Sequence, residues 1–308
     1  DNPGAPLYPK KSEDFMGTPC RKTTPQCLNS RYNIFDEAQM NMFIIDHEIF
    51  IRLGSFFGVF SLMVLWESRA PRRVLTQSRS IRWFGNLSIT FLNSLLVRVV
   101  FPITATGVAL FSAKSRLGIF NNVTPAPWIA GLIALAALDL TIYTQHLLFH
   151  KIPLFWRLHR MHHTDLDIDV TTGARFHPVE IMLSMGIKMS VVVILGAPAW
   201  SILAFEVLLN ATSMFNHSNI LMNRNIDRIL RTFLVTPDMH RVHHSVITRE
   251  TDSNFGFNLP WWDRLFGTYH AQPAAGHEAM TIGLANYRDP KWLTLPWMLA
   301  VPFSGKYR

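Results

Sequence analysis

Histidine is the residue whose placement in this sequence departs most from chance. Thirteen occur in 308 residues. At that frequency an H-x-x-H-H pattern is expected about 0.02 times per chain, yet it occurs twice, as HRMHH (His159, His162, His163) and HRVHH (His240, His243, His244). A third cluster, HLLFH, sets His146 four residues before His150. On a helix, positions three and four apart share a face, so each cluster presents its imidazoles together. Neutral imidazole is a ligand for iron, zinc and copper. These eight side chains, with His217 in FNHSN, are too many for one ion and suit two. Two neighbouring metals in turn suit chemistry in which dioxygen is reduced between them. Zinc stays open on the histidines alone. The zinc-protease signature H-E-x-x-H is nevertheless absent, because Arg160 and Arg241 follow His159 and His240.

Two residues stand beside these clusters as candidates. His177 in RFHPVE is either a further ligand or a group behind the ligands. Asp139, seven residues before His146 and on the same helical face, is either a hydrogen-bond partner of the ligands or a buried structural carboxylate. His47 and His270 stand alone and read as surface or interfacial side chains.

Positioning nine imidazoles requires elements that converge on one place. Hydrophobic residues make up 49% of the chain and charged ones only 16%, a balance that leans toward the membrane. Apolar runs near the length needed to cross a bilayer cover Glu48–Trp66, Ile89–Phe111 and Trp128–Phe149. A fourth, Val179–Phe215, is long enough for two helices and is broken at GAPAW around Pro198, which predicts a helical hairpin. The expectation is an all-α polytopic membrane protein with four to five membrane helices and a histidine-rich helical cap. Arg98, Lys188 and Glu206 fall inside apolar runs and should face protein or lie near an interface. Arg69, Arg72, Arg73, Arg79 and Arg82, with Lys151, Arg157 and Arg160, place the histidine face in the cytoplasm and the N-terminal tail on the opposite side. The net charge, 29 − 21 = +8, is not gathered into a stripe, so no nucleic-acid partner is expected.

The expected divisions are a polar, extended tail (1–42), the first two spans (43–126), a di-metal domain (127–270) and a C-terminal tail (271–308). Cys20 and Cys27 either pair or remain two thiols. Within HRVHH, Arg241 and Val242 are expected to turn away from the metals toward solvent, lipid headgroups or neighbouring protein.

HLLFH, HRMHH and HRVHH, in this order, resemble the three histidine boxes of the fatty acid hydroxylase / sterol desaturase superfamily. RFHPVE, FNHSN, VTPDMHRVHHS and NFGFNLPWWDRLFGTY also resemble segments of its bacterial and alkylglycerol monooxygenase-like members, so the likeness runs from about Leu138 to Tyr269. The resemblance implies a membrane-embedded non-haem di-iron enzyme using dioxygen to hydroxylate or desaturate an acyl chain, sterol or ether lipid. It implies that His146, His150, His159, His162, His163, His217, His240, His243 and His244 ligate two iron ions. It also implies residence in a bacterial inner membrane or a eukaryotic internal membrane. The chain has no C-x-x-C cluster motif and no G-x-G-x-x-G fingerprint, so electrons must come from an external reductase or small carrier. WWDRLFGTY reads as a cap on the site, a membrane-surface segment or a packed turn. A rival reading makes the protein an accessory subunit that binds neighbours in a membrane complex through its N-terminal extension. Another rival, a zinc-dependent hydrolase, lacks a catalytic carboxylate at motif spacing.

Overall fold

The structure, a computed structural model, describes residues 25–305, with side chains described from residue 39 onward. The chain divides into two units, residues 1–43 and 44–308, and the second contains all thirteen histidines. The Cys20–Cys27 pairing lies outside the described residues.

The order is α1 (Pro25–Arg69), α2 (Arg79–Val100), α3 (Ala105–Lys114), α4 (Ile119–Val123), α5 (Pro127–Lys151) and α6 (Pro153–His163). After a buried loop come α7 (Pro178–Leu195) and α8 (Ala199–Asn216). Short helices follow: α9 (Arg224–Leu230), α10 (Pro237–His243), α11 (Thr248–Thr251), α12 (Trp261–Leu265), α13 (Gly276–Ala279) and α14 (Leu295–Ala300). Among the described residues there is no strand, only two isolated bridges. Four helical stretches are long and apolar enough to cross a membrane: Gln39–Arg69, Arg79–Val123, Pro127–Lys151 and Pro178–Leu195. This is an all-α integral membrane protein.

Two sequence expectations change. Residues 25–42 are helical, continuing into the first span, where an extended tail was expected. The run Ile89–Phe111 is two helices, because Pro102 offers no N–H and pushes Phe101 into extended backbone (φ −120°, ψ 81°), ending α2. The hairpin expectation holds: α7 stops at Gly196 in the left-handed region (φ 65°), and Pro198 caps α8.

In lipid, helix association depends on close packing, since the surroundings are as apolar as leucine. Ala105 and Ala109 of α3, Ala134 of α5 and Ala199 of α8 are buried together with Leu138, Ile202 and Phe205. Gly131 lies so close to the Trp200 ring that a Cβ would stand 1.9 Å from it. α5 thereby lies against α6, α7 and α8. The intramembrane charges face protein as expected, since Glu206 is paired with both Lys188 and Arg52. Arg98 is exposed near the end of α2.

The C-terminal segment is part of the core rather than a loose tail. Tyr287, Met298 and Val301 bury against Ile89 and Met161, and Arg160 donates to the Val301 carbonyl at 2.8 Å.

Candidate metal centre

Each histidine segment is started or stopped by local chemistry. Ile152 is extended before Pro153, so α5 ends and α6 folds back along it. That turn brings His146 to His159 (ring centroids 4.8 Å) and His150 to His163 (4.9 Å). α10 begins with Thr236, whose hydroxyl accepts from the Met239 N–H, followed by Pro237 at the first helical position and Asp238 in the first turn. His217 follows the last turn of α8.

All nine boxed histidines are buried, none more than 4% exposed. They form two groups whose ligand atoms lie within 4.8 Å of one another: His146, His150, His159, His163 and His243 in one, His162, His217, His240 and His244 in the other. Helical spacing sorts them. The i, i+4 pairs (146/150, 159/163, 240/244) stay together, while the i+3 residue of each H-x-x-H-H box crosses to the other group. HRMHH thus sends His162 to join His240 and His244, and HRVHH sends His243 to join His159 and His163.

Six of the nine outer ring nitrogens are anchored. The Nδ1 atoms of His146, His162, His217 and His243 donate to the carbonyls of Phe255 (2.8 Å), Arg175 (3.0 Å), Ser213 (2.7 Å) and Ser253 (2.7 Å). Nδ1 of His159 bonds the Glu180 carboxylate at 2.6 Å, and that of His150 bonds Asp252 at 3.3 Å. A carbonyl can only accept, so the proton sits on Nδ1 and the Nε2 lone pair points inward. Inward nitrogens then meet at 3.1 Å in three pairs: His146 with His159, His162 with His217, and His217 with His240. For His162 and His217 both outer protons are fixed, so two lone pairs face each other. A bridging proton is disfavoured: burial lowers His217 to about 4, and burial with the neighbouring imidazoles holds His162 well below the ordinary value. A cation resolves the arrangement. Two nitrogens bound to one ion at about 2.0–2.1 Å and near-tetrahedral or right angles stand roughly 2.8–3.4 Å apart. The donor set and spacing therefore fit metal in both groups, and both nitrogens of His163 and of His244 are buried without a hydrogen-bond partner.

Aromatic side chains close the surroundings. Phe176 stacks on His162 (centroids 4.6 Å, planes 7° apart). Phe255 and Phe257 pack on His146 at 5.5 and 5.1 Å, and Trp156 on His150 at 4.8 Å.

The two subsidiary candidates belong to neither group. The His177 ring accepts from the Val179 N–H and caps α7. Asp139 accepts from the side chains of Asn258 and Trp262, both at 2.8 Å, and from the Leu259 N–H, so it fixes the loop that carries Phe257. Within WWDRLFGTY, Asp263 is fully buried and accepts from the N–H groups of Phe255 and Gly256. This segment is a packed turn behind the site, with Trp261 half exposed.

For Arg241 and Val242 the structure selects protein among the three surroundings expected. Both are 0% exposed. Arg241 pairs with Asp238 and donates to the Ser218 carbonyl, so the back of α10 lies against protein instead of solvent or headgroups.

Sequence reasoning also missed the support beneath HRMHH. The following TDLDIDVTTG is wholly buried. Arg82 is fully buried and pairs with Asp165 (2.8 Å) and Asp169. Against the burial that would raise it, Arg82 and Arg175 pull the Asp165 carboxyl down to about 2. Asp167 accepts from the N–H groups of Thr76 and Gln77. Gly173 passes so close to α8 that a Cβ would meet the Ser213 carbonyl oxygen at 2.5 Å. The regular D-x-D-x-D spacing, opposite an arginine-rich loop, was the signal available.

A fatty acid hydroxylase family model matches residues 131–268, which include every histidine of both groups. The ornithine lipid hydroxylase OlsE of Rhizobium tropici is 27% identical over 258 residues, 80% of this chain and 74% of that protein. The alkylglycerol monooxygenases of Homo sapiens and Xenopus tropicalis are 28% and 29% identical over 54% and 47% of this chain. This chain spans only 36% and 31% of their lengths. No solved structure matches. The likeness to the fatty acid hydroxylase family thus lies in residues 131–268, the stretch that holds both histidine groups.

Proposed function

We propose that the protein is a membrane-bound oxygenase that hydroxylates a lipid at a di-iron centre held by its nine histidines. The observation that carries this reading is the 3.1 Å spacing of inward Nε2 atoms in the pairs His146–His159 and His162–His217, whose outer nitrogens are already committed. Bound iron would supply the dioxygen reduction and oxidising power that an unactivated C–H bond requires.

The chain's own part is to hold, orient and exclude. Carbonyls and carboxylates fix the direction of six of the nine rings, and the phenylalanines with Trp156 keep water from the imidazoles. The substrate class follows from the surroundings. Between α5 and α8 lies an open cavity of about 290 Å³ lined by Leu132, Leu135, Phe205, Leu208 and Leu234, with Asp139 and Asn258 also in its wall. Such a lining suits an acyl chain drawn from the bilayer. OlsE and the alkylglycerol monooxygenases, named as a lipid hydroxylase and as monooxygenases, support the same class. Electrons come from an external donor. Arginines of the loop after α1 and of the start of α2 lie on the histidine side, since Arg82 pairs with the loop after HRMHH and Arg73 donates to the His277 carbonyl. This supports a cytoplasmic active-site face.

Comparative lipidomics of cells with and without the protein, grown under labelled dioxygen, tests the proposal. A lipid class carrying one labelled oxygen only when the protein is present is the expected result. Unchanged lipids, with the protein held in a stoichiometric membrane complex, would assign it an accessory role instead.

A further inference from the structure

The two histidine groups differ in what stands behind them. In the group of five, two imidazoles are backed by carboxylates: His159 by Glu180 at 2.6 Å and His150 by Asp252 at 3.3 Å. In the group of four, the anchored rings, His162 and His217, are backed only by carbonyls. Glu180 is 4% exposed, and its other oxygen, Oε2, is buried without a hydrogen-bond partner among the described residues. A buried carboxylate bonded through one oxygen to an imidazole needs a positive centre beyond the ring to be tolerated. His159 directs its far nitrogen at His146, inside the group of five.

We propose that the two metal positions are unequal. Glu180 and Asp252 act as positioning residues that make the five-imidazole position the more electron-rich and the more firmly held. This rests on the di-metal reading above. Hydrogen bonds from imidazole N–H to a carboxylate are charge-assisted, raise the basicity of the ligating nitrogen and add negative charge beside the ion. Among the described residues the four-imidazole position has no carboxylate bonded behind a ligand. Its ion is therefore released first and reduced more readily.

Chelator competition on the full-length, iron-loaded protein tests this, with metal counted per chain and the iron followed by Mössbauer spectroscopy. Wild-type protein should lose its ions in two steps and show two distinct iron signals. Glu180→Gln keeps the size and the acceptor but removes the charge. It should weaken the tighter step roughly 10–100-fold, alter one iron signal and leave the other unchanged. Asp252→Asn should act on the same step, which covers failure of Glu180→Gln to fold. Glu206→Gln alters a buried carboxylate that pairs with Lys188 and Arg52 and touches no imidazole, and should move neither step. Release in one step by wild type, or wild-type release curves for both Glu180→Gln and Asp252→Asn, overturns the inequality. Absence of metal from wild-type protein would instead overturn the di-metal reading itself.

Discussion

His163 and His244 stack with ring centroids 4.7 Å apart and planes 26° apart, although they belong to different groups. They come from different boxes, one ending α6 and the other ending α10. The two histidine groups thus share a wall of imidazole, and the C-terminal helices are tied to the membrane helices through it.

That tie predicts the consequence of losing His243. It is the one member of the five-histidine group from the C-terminal segment, and metal binding to such a site is folding energy as well as chemistry. His243→Ala should lower metal content and expose residues 220–269 to protease. Metal analysis with limited proteolysis reads both; a full metal complement and native resistance together would remove this box from the ligand set.

Arg241 should matter for stability despite pointing away from the metals. Removing its buried guanidinium leaves Asp238 short of a partner and the Ser218 carbonyl without a donor. Breaking a buried pair costs about 3–5 kcal/mol; discounted for a partly exposed Asp238, Arg241→Ala should cost roughly 2–3 kcal/mol. Thermal unfolding in detergent measures it, and a melting point equal to wild type would contradict the burial.

Arg82 holds the loop that supplies the carbonyl behind His162. Arg82→Met leaves Asp165 and Asp169 buried without their guanidinium, costing about 3–5 kcal/mol. It should also release metal from the four-histidine group, because that loop carries Arg175. His47→Ala, on an exposed position of α1 far in sequence from both groups, should leave metal content unchanged. Metal counts on the two variants distinguish local from general damage.

Acid should destabilise the metal-free protein. Burial lowers His217 to about 4 and His243 to about 3, while in the unfolded chain both titrate near 6.5. Above about pH 6.5 neither state binds the protons, so these groups contribute no pH dependence there. As pH falls below that value the unfolded chain takes up protons that the folded chain refuses, so stability declines until the folded values are reached. Each group contributes up to about 1.4 kcal/mol per pH unit. Melting of chelator-treated protein from about pH 7.5 to about 5 should show a falling midpoint, and a flat profile would contradict neutral, buried imidazoles.

The sequence by itself determined the chemistry and most of the elements. Imidazoles at three- and four-residue spacing can only face one way on a helix, so HLLFH, HRMHH and HRVHH announced three histidine clusters. Long apolar runs and the break at Pro198 announced the spans and the hairpin. What the tertiary structure decided was which histidine joins which partner. The crossing of His162 and His243 depends on how α6 and α10 approach each other, and helical period alone places each in its own box. Glu180, Asp252, Arg82 and the DLDIDV carboxylates acquire their roles from partners tens of residues away or more. Arg241 shows the same limit from the other side: local geometry turned it off the ligand face, but only the packing of α10 against Ser218 decided that it would be buried.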